Sequence, residues 1–184
     1  MKVFKDFPQF TPNVSPKDVL REGSFGGTYF RPIKSSVTGN TYTSQEVINE
    51  YPKYWFQGIN IDKMVTSSTY DKKVNKYNVK CGSSLENWEE NGWIDKQDPY
   101  GWFQWYCRFY QGRRTNDDER QIKRWEKLAG PNGRFRRRLM NLIIQKEKKY
   151  NDLTISPVIR QVLLHWGYEL TSKDLSDYNR SLKK

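Results

Sequence analysis

The chain has 184 residues, enough for a core without disulfides or metal, and 15% of them are Phe, Trp or Tyr, more than a disordered chain carries. Lys and Arg number 32 against 21 Asp and Glu, a formal charge of +11, and a mean hydropathy of -0.96 marks the apolar supply as aromatic rather than aliphatic. No stretch approaches the roughly 20 apolar residues that span a bilayer, and MKVFKDFPQF lacks the apolar run of a signal peptide, so a soluble intracellular protein of cytoplasm or nucleus is expected, with no membrane partner.

Residues 1–82 read as irregular, with β elements. Ser15-Pro16 opens a short helix, with Pro at its first position and Gly23 past its end. Gly23-Ser24-Phe25-Gly26-Gly27 invites a phosphate-loop reading, but the Lys-Ser/Thr ending is missing and no helix evidently follows. A turn into a short strand, Thr28-Tyr29-Phe30, stopped by Pro32, is expected instead. Thr43 and Glu46 have capping-box spacing for a helix that stops at Pro52. Residues 59–66 and 74–80 are further β-prone runs.

Residues 83–170 read as helical. Ser83 and Glu86 cap a short helix ending at Gly92, and Asp98-Pro99 opens the next, which runs to Gly112. Asn116, with Glu119 three residues on, opens another that reaches Gly130. Gly130-Pro131-Asn132-Gly133 is a tight turn before a long helix over 134–150. Ser156-Pro157 starts a helix that stops at Gly167. Thr171 and Asp174 cap a last short one in a tail, 171–184, that frays from Arg180. No repeat or low-complexity linker divides the chain. The expected fold is α+β and helix-dominated: a single domain over 1–184, its small irregular β part packed on an aromatic-rich helical core.

The charge is uneven. Residues 1–92 hold 12 Lys and Arg against 10 Asp and Glu, and residues 93–184 hold 20 against 11. A localised field is what a phosphate backbone responds to; the plainer alternative is a solubilising surplus. At 100° per residue, the helix at 99–111 has a narrow polar stripe of Gly101, Gln104, Arg108 and Gln111, with rings over the remainder. That is a central core helix, and a base-stacking platform made from some of its rings is the competing reading.

On 117–129, Ile122, Trp125 and Ala129 face inward, while Arg120, Lys123, Arg124 and Lys127 cluster within about a third of the circumference. Asp117, Asp118 and Glu119 suit the helix dipole as capping acids. As adjacent residues they point different ways, which disfavours a metal site. On 134–150, Phe135, Leu139, Leu142, Ile143 and Tyr150 form the apolar arc. The opposite arc holds Arg134, Arg137, Arg138, Asn141, Gln145, Lys148 and Lys149, with no acid among them. Solvated helix faces usually mix both signs, so this is the most specific signal in the sequence. Arg136 points to the apolar side, where a buried salt bridge to Glu147 is expected, with a hydrogen-bonding role in a pocket as the alternative. Two basic helices joined by a four-residue turn outline a helix-turn-helix. The turn matches a helix-hairpin-helix less well, since Pro131 removes an amide.

Cys81 and Cys107 are the only cysteines and read as reduced thiols, without a disulfide framework or zinc knuckle. His165, the only histidine, sits at the edge of a face made by Val158, Ile159, Val162, Leu163 and Trp166. A packed or capping residue is expected there, because a general base would need a carboxylate partner and none is evident. Without a second His or a His/Cys cluster, a zinc deaminase or HNH-type site is excluded. A carboxylate site drawn from Asp95, Asp98 or residues 117–119 stays open. No metal and no cofactor are expected.

The runs GWFQWYCRFYQGRRTNDDERQIKRW and SPVIRQVLLHWGYEL resemble a little-described family of small, basic, Trp-rich proteins, over residues 20–170. The resemblance implies no activity, ligand or site. The expected function is nucleic-acid binding, DNA ahead of RNA, through Arg113, Arg114, Arg120, Lys123, Arg124, Lys127, Arg134, Arg137, Arg138, Asn141, Gln145 and Lys148. One alternative is an enzyme acting on nucleic acid (base-modifying, base-excising or nuclease), in which an aromatic pocket holds a base. The other is an interaction module for an acidic protein partner. A pocket with a perturbed carboxylate would point to the enzyme; a flat basic surface would point to the binding module.

Overall fold

Local capping chemistry sets most helix starts in the computed structural model, which describes residues 2–184. The Ser15 hydroxyl accepts the Asp18 N–H at 3.2 Å, Pro16 fills the first position of α1 (Pro16–Glu22), and Gly23 at φ +100° ends it. Thr43 and Glu46 exchange both bonds of a capping box ahead of α2 (Ser44–Ile48).

The β content is smaller than the sequence suggests. Thr28-Tyr29-Phe30 is no strand; it follows a 3-10 turn at Phe25–Gly27, and the Thr28 N–H closes on the Phe25 carbonyl at 3.1 Å. The strands among the described residues are β1 (Ile33–Lys34) and β2 (Thr41–Tyr42), antiparallel, with Ile33 opposite Tyr42 and Lys34 opposite Thr41. Residues 59–66 carry instead a one-turn helix, α3 (Ile61–Met64), capped by Asn60. Residues 74–80 run irregularly from a 3-10 turn at Lys72–Val74.

Apolar, β-branched runs become strands only where a neighbouring strand completes the ladder. Here Met64 and Val65 N–H close on Asn60 O and Ile61 O at 2.8 and 2.9 Å, and Val65 O takes the Phe30 N–H at 2.9 Å. The glycine loop takes Ser67 N–H (Gly27 O), Asp71 N–H (Gly26 O) and Lys76 N–H (Gly23 O), each at 3.0 Å. The approach is too close for side chains. A Cβ on Gly23 would lie 2.0 Å from the Val74 carbonyl oxygen, and one on Gly27 2.0 Å from that of Lys63.

The second half is helical. Ser84, rather than Ser83, caps α4 (Leu85–Glu90). The segment opened by Asp98-Pro99 turns helical only at α5 (Trp102–Tyr110), after Gly101 at φ +106°. The next helix, α6 (Asp118–Ala129), starts past Asn116, and the Thr115 N–H is taken up by the Asp118 carboxylate at 2.8 Å. Then α7 (Arg134–Gln145) stops short of Tyr150, where Glu147 turns the chain at φ +52°. Last come α8 (Pro157–His165) and α9 (Ser172–Ser181), the second longer than a frayed tail and capped by Thr171 as its spacing suggests.

Ring burial explains the arrangement. Trp102, Phe103, Trp105, Tyr106, Cys107 and Phe109 of α5 are all buried, each large ring contributing about 1.5–3 kcal/mol by leaving water. Phe10 inserts edge-on, its centroid 5.1 Å from Trp125, 5.7 Å from Tyr106 and 5.6 Å from Phe109. The indole N–H groups find acceptors: Trp102 at Gln121 O (3.1 Å), Trp105 at the Asp118 carboxylate (2.9 Å) and Trp125 at Trp166 O (2.9 Å). So α5 is the core helix, and the first half of the chain joins it through Phe4, Phe10, Tyr29 and Phe30. Helix dominates, with the two-residue strands as the whole sheet among the described residues. No described helix is long and apolar enough to cross a membrane.

Candidate functional site

The twelve residues singled out for nucleic acid separate into two groups once the chain is folded. Arg113 donates to the Asp98 carboxylate at 2.6 Å, and Asp98, fully buried, also receives Arg108 at 2.9 Å. Arg108 pairs in turn with Glu50 at 2.6 Å. Arg114 lies 3.7 Å from the centre of the Phe109 ring and donates to Asp6 at 2.7 Å, which holds that carboxyl below its usual range. Arg120 pairs with Asp117 at 2.6 Å. Arg124 is drawn inward, donating to Gln121 Oε1 at 2.9 Å and Trp93 O at 3.3 Å, with its guanidinium 5.6 Å from the Trp166 ring. Asn141 accepts the Tyr178 hydroxyl of α9 at 2.7 Å. These side chains are engaged with the protein itself.

The second group is free. Arg134, Arg137, Arg138, Gln145 and Lys148 are exposed on and just past α7, as are Lys123 and Lys127 on α6. None of these cations enters an ion pair among the described residues; the ten pairs lie elsewhere. Arg136 is buried as expected, but its partner is Asp174 at 3.0 Å, not Glu147. It also lies 4.5 Å from the Tyr168 ring. Glu147 sits beyond the end of α7 and exposed, so it cannot follow the helical period that the pairing assumed.

The glycine loop offers no phosphate cradle. Its amides are spoken for: Phe25 N–H by His165 Nε2 (3.0 Å), Gly26 N–H by Asn75 Oδ1 (2.8 Å), and Gly27 N–H by Ser24 O (3.0 Å). Asp117 and Asp118 hold Arg120 and Trp105, and Asp95 accepts the Gln97 N–H. No group of three or more His, Cys, Asp or Glu stands close enough to hold a metal among the described residues.

A pocket of about 520 Å³ lies between the glycine loop, residues 68–85, α4, residues 93–103, Arg124 of α6 and the end of α8. Nine of its lining residues are Phe, Tyr or Trp, three are Arg or Lys (Arg31, Lys80, Arg124), and none is Asp or Glu. The sequence raised an aromatic pocket only as an alternative and, Arg124 apart, assigned none of these lining residues to a site. Its one local trace was the surplus of rings over what a core helix needs, and Trp102 and Phe103 of α5 do reach its wall.

His165 and Cys81 meet on that wall, with Sγ 3.8 Å from Nδ1. The tautomer follows from the other ring nitrogen. Nε2 accepts the Phe25 N–H at 3.0 Å and faces Gln161 Nε2 at 3.0 Å. Gln161 is oriented by Tyr77 N–H on its oxygen and by Gly23 O on its nitrogen. Nε2 is therefore the acceptor, and Nδ1 carries the proton and points it at sulfur. Burial lowers His165 to about 3 and raises Cys81 to about 12, so both are neutral near pH 7. A nucleophilic cysteine needs a thiolate or a free base beside it; this imidazole is neither a cation nor a base toward sulfur.

What His165 does is hold the loop. It stacks on Phe25 at 4.0 Å and 22°, and Phe25 sits at φ +55°, a left-handed conformation that costs a side-chain-bearing residue roughly 1–2 kcal/mol. The helix face differs from the expected one: α8 buries Arg160, Gln161, Leu163, Leu164 and His165 and leaves Val158 exposed. Polar Arg160 and Gln161 are tolerated inside because carbonyls of residues 150, 152, 155 and 23 accept their N–H groups.

No protein-family model matches the chain, and neither the curated proteins nor the solved structures contain a significant match.

Proposed function

We propose that the protein binds nucleic acid along the exposed cationic face of α7, extended by Lys123 and Lys127 of α6. The observation that carries the reading is a row of exposed cations, Arg134, Arg137, Arg138 and Lys148, with no carboxylate paired to any of them. An evolved surface helix ordinarily offsets such a row with acids at i±4. A phosphate backbone supplies the missing charge, and neutralising it releases condensed counterions.

Catalysis on a base is the second reading, and the aromatic pocket favours it. Its wall holds no carboxylate, and the Cys81–His165 pair is neutral and hydrogen-bonded in the unproductive sense, so binding is better supported than chemistry. Duplex DNA is the first ligand to try, with single strands and RNA beside it. Fluorescence anisotropy on labelled oligonucleotides tests the reading. Arg137→Glu with Arg138→Glu lowers affinity about tenfold or more at about 0.1 M salt, with little change in thermal stability. No binding by the unmutated protein at low salt overturns it.

A further inference from the structure

Arg124 is the one cation of the α6 row that the fold draws inward without giving it a carboxylate. Arg120, one turn earlier, has Asp117, while Lys123 and Lys127 stay in water. Taking a guanidinium out of water is unfavourable unless an anion meets it. Two neutral oxygens, Gln121 Oε1 and the Trp93 carbonyl, do not supply that charge. Burial and the nearby Arg120 pull Arg124 down to about 10, which still leaves it cationic at neutral pH. It faces the pocket together with Arg31 and Lys80, and neither of these has an ion-pair partner among the described residues.

The other half of the recognition is aromatic. Arg124 lies over Trp166, which packs at 4.5 Å on Trp102, and Trp93 stands 43% exposed on the same pocket. Such walls favour a planar π-system, and nucleobases stack on exposed indoles whatever their sequence. A volume of about 520 Å³ falls within the range of about 300–1,000 Å³ that holds small ligands. A planar ring with an attached dianion satisfies both features at once.

We propose that the pocket binds one nucleotide, its base against the indole walls and its phosphate at Arg124, with Arg31 and Lys80 as further cations. The nucleotide is either free or an unpaired residue of a strand; only the second source rests on strand binding by α7. Intrinsic tryptophan fluorescence is titrated with AMP, GMP, CMP and UMP, with their nucleosides, and with inorganic phosphate. A single strand carrying 2-aminopurine is titrated in parallel.

At least one mononucleotide gives a saturable change, and its nucleoside binds about tenfold more weakly or worse, as expected when a charge-assisted contact is lost. Arg124→Gln brings the mononucleotide down to the nucleoside's affinity. Lys80→Glu, at an exposed position, weakens it in the same direction and keeps the test alive should Arg124→Gln fail to fold. Quenching of 2-aminopurine without any mononucleotide binding, lost in Lys80→Glu, assigns the strand as the source. Mononucleotide binding without strand binding removes the α7 reading and leaves the pocket standing. Equal loss of mononucleotide in Arg137→Glu/Arg138→Glu would place the phosphate on α7 and overturn the proposal. So would the absence of any saturable response, or equal affinity in Arg124→Gln, Lys80→Glu and the unmutated protein.

Discussion

The arginines between Arg108 and Arg124 and those of α7 are alike in sequence and unlike in the folded chain. The first set is consumed: Asp98, Glu50, Asp6 and Asp117 each take a guanidinium, and Asp98 does so from a fully buried position. In the second set only Arg136, turned inward to Asp174, has an internal acid; Arg134, Arg137 and Arg138 have none. A charge count therefore measures what a surface could carry, and the pairing measures what it offers a partner. On this side of the protein the unpaired cations include Arg134, Arg137, Arg138 and Lys148 with Lys123 and Lys127, and in the pocket Arg124 with Arg31 and Lys80.

The contrast is broken most severely at Asp98. Asp98→Ala leaves Arg108 and Arg113 facing each other beside the core, and removing one member of a buried ion pair costs about 3–5 kcal/mol. Equilibrium denaturation reads that loss, whereas Arg137→Glu with Arg138→Glu stays within about 0.5 kcal/mol of the parent. Comparable losses in both variants would erase the distinction.

Acid separates interior from surface next. His165 is held near 3 against an ordinary value of 6.5, so below about pH 6.5 the unfolded chain takes up a proton that the folded chain refuses. Its contribution is complete above that pH and falls by about 2 kcal/mol at pH 5. Glu22, pushed up to about 7 by burial and by Glu169, works in the opposite sense. The measurement is accordingly the difference in pH dependence between the unmutated protein and His165→Gln, in which the fall disappears. Strand affinity of the folded protein holds over the same interval, because Arg and Lys keep their charge.

The smallest effects sharpen the outline of the surface. Lys123→Gln and Lys127→Gln change stability by no more than about 0.5 kcal/mol. If each residue neutralises one phosphate, each variant lowers the slope of log affinity against log salt by about 0.9. Arg114→Gln, whose parent is tied to Asp6 and Phe109, leaves that slope where it was. A change in slope there would enlist Arg114 in the interface.

What the sequence determined by itself is local. Ser15-Pro16, Thr43 with Glu46, and Thr171 with Asp174 cap helices because a side chain reaches an amide two or three residues away. The acid-free arc of α7 and the ring-covered α5 follow from a 100° turn per residue, which no distant contact alters. Tertiary structure decided the rest, since those contacts span the chain. Asp6 lies 108 residues from Arg114, Cys81 84 from His165, and Phe25 140 from His165. The β-prone runs at 59–66 and 74–80 became a one-turn helix and an irregular stretch because no strand lies beside them: Met64 and Val65 N–H close on Asn60 and Ile61, and Lys76 N–H goes to Gly23 of the glycine loop. Likewise the pocket joins side chains from Phe25 to Trp166. A concave wall exists only when its pieces are brought together, and periodicity along any one of them carries no record of the others.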